Sequence, residues 1–181
     1  MIRAAAGRED PLNLHERAVS QRNIFERLTA MIPGFSGYQE RETRRDIDKI
    51  QRDFCADKLF AQKTTLKRVL DDLITGGDID GISPFEKLMN RIDRVAQKIR
   101  TADRGYSGLF DTVKVGEDDL MRVYEHDLGL AEAVTEVAHK VAEMNADDRE
   151  KLMAKVKETI ELVDRVDEFF SKREELLRKG G

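Results

Sequence analysis

Phe85, Leu88, Ile92, Val95, Ile99 and Ala102 recur at steps of three and four residues. That rhythm limits the fold more than any other feature of the chain. It places all six side chains on one helical face, as the a and d positions of a helix–helix seam. Such a face has to be buried against other faces of the same kind, so the rest of the chain should supply them.

It does. A first helix is expected over about 13–31, with Ile24, Leu28 and Met31 on one side and Pro33-Gly34 as its stop. A second, long helix is expected over about 39–75, closed by Gly76-Gly77. At 1.5 Å per residue it would span roughly 55 Å. Its stripe opens on Ile47, Ile50 and Phe54, then shifts to Cys55, Leu59, Leu66, Val69 and Leu73, as a bend or a change of packing partner would require. The third helix should begin at the capping box Ser83-Pro84-Phe85-Glu86 and end near Gly105. A fourth starts among Glu117, Asp118 and Asp119, acids that suit a helix N-terminus, and carries Leu120, Tyr124, Ala131, Val134, Ala138 and Val141. A fifth, capped by Asn145, carries Leu152, Val156, Ile160, Val163, Val166 and Phe170 and runs to Lys179-Gly180-Gly181. No segment outside the connectors reads as a strand. The expected fold is all-α: one helical domain over 1–181, an antiparallel bundle of four to five helices, with residues 1–10 as a flexible extension. The heptad-like seams also allow coiled-coil self-association.

Composition narrows the function classes. In 181 residues, 40% are hydrophobic and 38% charged, with no Trp and three Pro, as in long helices whose apolar residues are confined to a stripe. The net charge is −4, with both signs intermixed. A nucleic-acid-binding domain normally carries a basic surplus or a basic face, so that partner is not expected. Cys55 is the single cysteine, which leaves no internal disulfide and no cysteine-based zinc site and agrees with a reducing, cytoplasmic location. The opening MIRAAAGRED is too short and polar for a signal peptide, and no apolar run approaches membrane-spanning length.

Two connectors break the helical rule. PGFSGYQERETRRD at 33–46 and RGYSGLFDTVKVGEDD at 104–119 share Gly-aromatic-Ser-Gly with a further aromatic close behind, each between a helix and a charged helix start. The match suggests pseudo-symmetry between two helical hairpins. The first stretch, extended to PGFSGYQERETRRDIDK, and RIDRVAQKIRTADRGYSGLFDTVKVGEDDLMRVYEHDL downstream resemble a family of uncharacterised helical bacterial proteins. The resemblance covers 33–50 and 90–130. It implies a helical fold and a bacterial source, and brings no activity, cofactor or catalytic residue.

The connectors can be read in two ways. Phe35, Tyr38, Tyr106 and Phe110 can plug the end of the bundle, a reading favoured by the small supply of aromatics, eight Phe and three Tyr. Alternatively, with Arg41, Arg44, Arg45 and Arg104 beside them, they form a docking surface of the residue types that dominate interface energy. Asp127 bears on both, because the series Leu120, Tyr124, Asp127, Ala131, Val134 sets a carboxylate on the inward stripe. A buried carboxylate needs a cation or several donors, and Arg44 or Arg45 is the natural candidate. A structural ion pair or a half-exposed rim position is the simpler reading, a catalytic group the sharper one.

Other motifs fail on their own chemistry. Glu136 and His139 have the Glu-x-x-His spacing of di-iron bundles, but the second such pair is missing. GDIDGISPFE at 77–86 fails as a calcium loop at its first and last ligand positions, so it is a turn. The tail LLRKGG resembles that of ubiquitin-like modifiers but continues a helix. No nucleophile elbow, Walker loop or dinucleotide fingerprint is present, and Cys55, among apolar neighbours, reads as core. No metal or cofactor is expected.

Three functional readings follow. The first is a non-catalytic helical interaction or scaffold module, with Tyr38, Arg44, Arg45, Tyr106, Phe110 and Asp127 as the candidate site and a protein partner or self-association as its business. The second is an enzyme whose site lies at the bundle end, where Asp127 and Glu125 would meet Arg44 and Tyr106. The third is association with a membrane surface through the first helix, which sets Arg17, Arg22 and Arg27 opposite Ile24 and Leu28.

Overall fold

A computed structural model describes residues 11–37, 44–102 and 117–179, with side chains described over 19–37, 44–102 and 119–176. Five helices lie in these stretches: α1 (Pro11–Met31), α2 (Arg44–Thr75), α3 (Ile79–Thr101), α4 (Glu117–Ala142) and α5 (Arg149–Lys179). No strand occurs among the described residues, and the consecutive pairs α2–α3 and α4–α5 pack antiparallel. The fold is the all-α bundle that the periodicity requires. Residues 1–10, Tyr38, Tyr106 and Phe110 lie outside the described residues, as does the start expected for the long helix before Arg44.

Helices α2, α3, α5 and α4 form a closed ring in which each packs on the next, and α1 lies against the outside of α4. The ring encloses the main core. Leu59, Leu66, Val69 and Leu73 of α2 and Phe85, Leu88, Ile92, Val95 and Ile99 of α3 meet Val134, Val137 and Val141 of α4 and Val156, Val163, Val166 and Phe170 of α5. All of these are buried; the a/d seam read in 85–99 is the face of α3 turned into that core. On α4 and α5 the expected stripes hold, with Leu120, Ala138 and Ile160 only partly covered. A second cluster sits under α1, where Leu28, Ile32 and Phe35 pack on Ile47 and on Val123, Tyr124, Leu128 and Ala131.

The helix ends correct the sequence reading in three places. The third helix does not begin at Ser83-Pro84. It begins at Ile79, five residues after which Pro84 is carried inside the helix. The reason is Asp78. The α2 terminus is a Schellman turn, with Gly77 at φ +77°, Gly77 N–H donating to Ile74 C=O at 3.0 Å and Asp78 N–H to Leu73 C=O at 3.0 Å. Asp78 closes that turn and caps α3 in the same step, its Oδ1 accepting from Gly81 N–H at 3.1 Å. A Cβ on Gly81 would stand 2.8 Å from Asp78 Oδ2, so the glycine is what lets the cap close. Asp78 Oδ2 also takes Arg149 Nε at 2.7 Å, which ties the start of α5 to this turn.

Asn145 does not cap the fifth helix. Asp148 does, accepting from Lys151 N–H at 3.2 Å, while Asn145 Oδ1 accepts from Asp147 N–H at 3.3 Å in the turn before it. Nor does the third helix run to Gly105. It stops at Thr101, and Ala102 is extended at φ −53°, ψ 128°. An arginine, described next, takes the place of a left-handed glycine there.

Candidate functional site

The N-termini of α2 and α4 and the C-termini of α3 and α5 meet at one end of the bundle, the end from which both connectors leave. Inside it runs an unbroken chain of charged groups. Arg52, one turn after Asp48 on α2, donates Nη1 to the carbonyls of Arg100 at 3.4 Å and Ala102 at 3.2 Å, which satisfies the open end of α3. Its Nε donates to Asp48 Oδ2 at 2.9 Å. The other oxygen of Asp48 accepts from Arg173 Nη2 at 2.7 Å. Arg173 Nε then donates to Asp127 Oδ1.

This chain touches all four helices of the ring. Arg173 reaches from α5 to Asp48 of α2, helices that are not ring neighbours, so its guanidinium crosses the inside of the bundle. The groups are sealed from water: Arg173 and Asp127 are fully buried, and Asp48 and Arg52 nearly so. Each carboxylate oxygen described is matched by a fork donor. Without such pairing, charges at this depth would be strongly destabilising.

Asp127 is therefore inward and paired with a cation, as its place on the stripe requires. The cation shown on it is Arg173, from a distant part of the sequence, which the expected pairing with Arg44 or Arg45 did not include. Arg44 opens α2 one turn before Asp48 and is buried, while Arg45 beside it is exposed. Of the six candidate residues, the structure thus places Arg44 and Asp127 in the buried end of the bundle and Arg45 on its surface. Tyr38, Tyr106 and Phe110 lie outside the described residues. Glu125 is exposed, on the far side of α4 from Asp127, so these two carboxylates do not converge.

Phe35 is the connector aromatic that can be placed. It is buried, and its ring joins Phe25 and Tyr124 with centroids 6.4 and 6.3 Å away; Phe25 and Tyr124 are 6.2 Å apart. Gly37, at φ +86°, brings the backbone against this triad, where a Cβ would meet Phe25 Cε2 at 2.7 Å. The first connector thus enters its turn with one aromatic acting as a plug.

Sequence reading missed Asp48, Arg52 and Arg173, and a signal for them exists. Arg44, Asp48, Gln51, Cys55 and Leu59 step by three and four along the buried side of α2, and Arg173 follows Phe170 by three on that of α5. The polar positions continue the apolar stripe in phase. Cys55 borders the layer and is fully buried, with Gln51 Nε2 donating toward its Sγ at 3.8 Å. Burial, and then the nearby Asp127 carboxylate, push its thiol well above the usual range, so it is no nucleophile. Glu136 and His139 are both exposed, and no group of three potential ligands among the described residues is placed to hold a metal ion. A groove of about 450 Å³ opens on the outside of α3, lined by Ser83, Glu86, Lys87, Asn90, Arg91 and Arg94, and does not adjoin Asp127. No described helix is long and apolar enough to cross a membrane.

Compared with family models, curated proteins and solved structures, the chain matches none.

Proposed function

We propose that the protein is a non-catalytic helical interaction module that offers a protein partner the surface around its two glycine-aromatic connectors, Tyr38, Arg45, Tyr106 and Phe110 among its residues. The observation that carries this reading is the charged chain Arg52–Asp48–Arg173–Asp127 inside the bundle end at which α2 and α4 begin. A buried ion-pair array adds little stability over a well-packed apolar one. Its benefit is geometric, because forked, directional bonds fix four helix ends in one arrangement, and a docking surface needs such a frame. A net charge of −4 with intermixed signs suits a protein partner better than nucleic acid.

The enzyme reading loses support at Asp127. A general acid or base must come within hydrogen-bond reach of a substrate, and this carboxylate is fully buried against Arg173. The membrane-surface reading asks α1 to give its apolar side to lipid, and Leu28 already spends that side on α4. A photo-cross-linking amino acid placed at Tyr106, with Ile79 at the opposite end as the control, tests the proposal in cells. A discrete protein adduct from position 106 and none from 79 is expected. Equal labelling from both positions would overturn it.

A further inference from the structure

The cluster under α1 stands apart from the main core, and α1 forms one wall of it. Leu28, Ile32 and Phe35 close over Val123, Tyr124, Leu128 and Ala131 of α4, with Ile24, Phe25 and Met31 at the margin. Among the described residues, none of α1 belongs to the main core, and Phe54 and Ala102 pack against both clusters. This helix is an arm laid in a groove, held there by apolar burial and by the exposed Arg27–Glu132 ion pair. Its outer side is charged, with Arg22 and Glu26 paired in solvent at 2.8 Å.

The arm's apolar contacts end at Phe35. Beyond it, at up to about 3.5 Å per residue, the eight residues 36–43 can reach roughly 28 Å. That is enough to carry α1 from its own groove to one on a neighbouring molecule.

We propose that the groove on α4 formed by Val123, Tyr124, Leu128 and Ala131 is an exchangeable helix-docking surface whose second occupant is α1 of another copy of this chain. The fit singles out that occupant. A second copy brings the same Leu28, the same Phe25 against Tyr124 and the same Arg27 to Glu132, so exchange recovers each contact it breaks. A helix of other sequence would have to match the ring triad and the ion pair in one register. The proposal rests on residues other than the connector aromatics at 106 and 110, so its failure would leave their docking role untouched.

Two full-length variants test it, Arg27→Cys and Glu132→Cys, at positions that are 60% and 41% exposed in the side chain. They are mixed in equal amounts in a thiol–disulfide buffer, with buried Cys55 left in place. The expected result is a heterodimer linking 27 to 132 at several-fold excess over both homodimers, lost when the Arg27→Cys copy also carries Leu28→Asp. A heterodimer yield no greater than that of the homodimers would overturn the proposal, as would a yield indifferent to Leu28→Asp.

Discussion

Arg173 donates to Asp48 across the inside of the bundle at 2.7 Å, with side chains 0% and 7% exposed. The same guanidinium holds Asp127, so one side chain on α5 joins α2 to α4. Removing it takes a fork donor from two buried carboxylates at once. Arg173→Met should cost about 3–5 kcal/mol, read as the shift in a urea unfolding midpoint at constant slope. Arg173→Lys should recover less than half of that, because an ammonium lacks the fork that serves two acceptors. Adding Asp127→Leu to Arg173→Met should cost at least about 1 kcal/mol less than the two single losses together. Additive losses would show that the pair is not coupled.

The thiol of Cys55 makes stability fall in alkali. Burial first, and Asp127 second, raise its pKa in the folded protein, whereas the unfolded chain releases this proton near pH 8.5. Above that pH the folded state binds more protons than the unfolded one, so stability declines as pH rises. Between pH 7.5 and 9.5 the wild type should lose about 1 kcal/mol more than Cys55→Ala by the same urea measurement. Equal losses would mean that the thiol ionises as easily folded as unfolded.

Two glycines with similar backbone angles should differ in tolerance. Around Gly77 (φ +77°) nothing lies within 4 Å of the place a Cβ would take, while at Gly37 (φ +86°) the added carbon meets Phe25 at 2.7 Å and the Tyr124 hydroxyl at 3.0 Å. Gly77→Ala should cost only the left-handed backbone term, about 1–2 kcal/mol. Gly37→Ala adds displacement of the ring triad and should lower the melting temperature further. The reverse order would contradict the close approach at Gly37.

At the start of α5 the assignment of the cap can be checked directly. Asp148→Ala should lower the melting temperature more than Asn145→Ala, since Asp148 Oδ1 accepts from Lys151 N–H and Asn145 serves only a turn. Lys151 and the backbone amides hold the Asp148 carboxyl below its ordinary value. Its contribution is therefore present above the unfolded value near pH 4 and fades as the pH falls through the depressed folded one. The difference between wild type and Asp148→Ala should shrink in acid; a constant difference would count against the ion pair.

The helices themselves were legible because the stripes in 85–99 and 152–170 repeat in phase over several turns. Boundaries were less so, because two competing signals met at each. Ser83-Pro84-Phe85-Glu86 reads as a complete cap, yet Asp78 lies earlier and finishes one helix while starting the next. Asp127 could be identified as inward and in need of a cation. Its partner could not, because Arg173 lies 46 residues away in sequence and only the packing of α5 beside α4 brings them together. Arg52 as the terminator of α3 is equally a tertiary fact, its two carbonyl partners being 48 and 50 residues distant.

The docking surface proposed for the bundle end rests on a frame fixed from within. The measurement that tests it most directly compares wild type with Tyr106→Ala/Phe110→Ala in quantitative capture of partners from the native host, with circular dichroism on the same preparations. The expected result is that one specific partner is lost while helicity and melting temperature are kept. Unchanged capture by a folded variant would contradict the claim, and so would a variant that loses helicity, since the aromatics would then be part of the bundle's own packing.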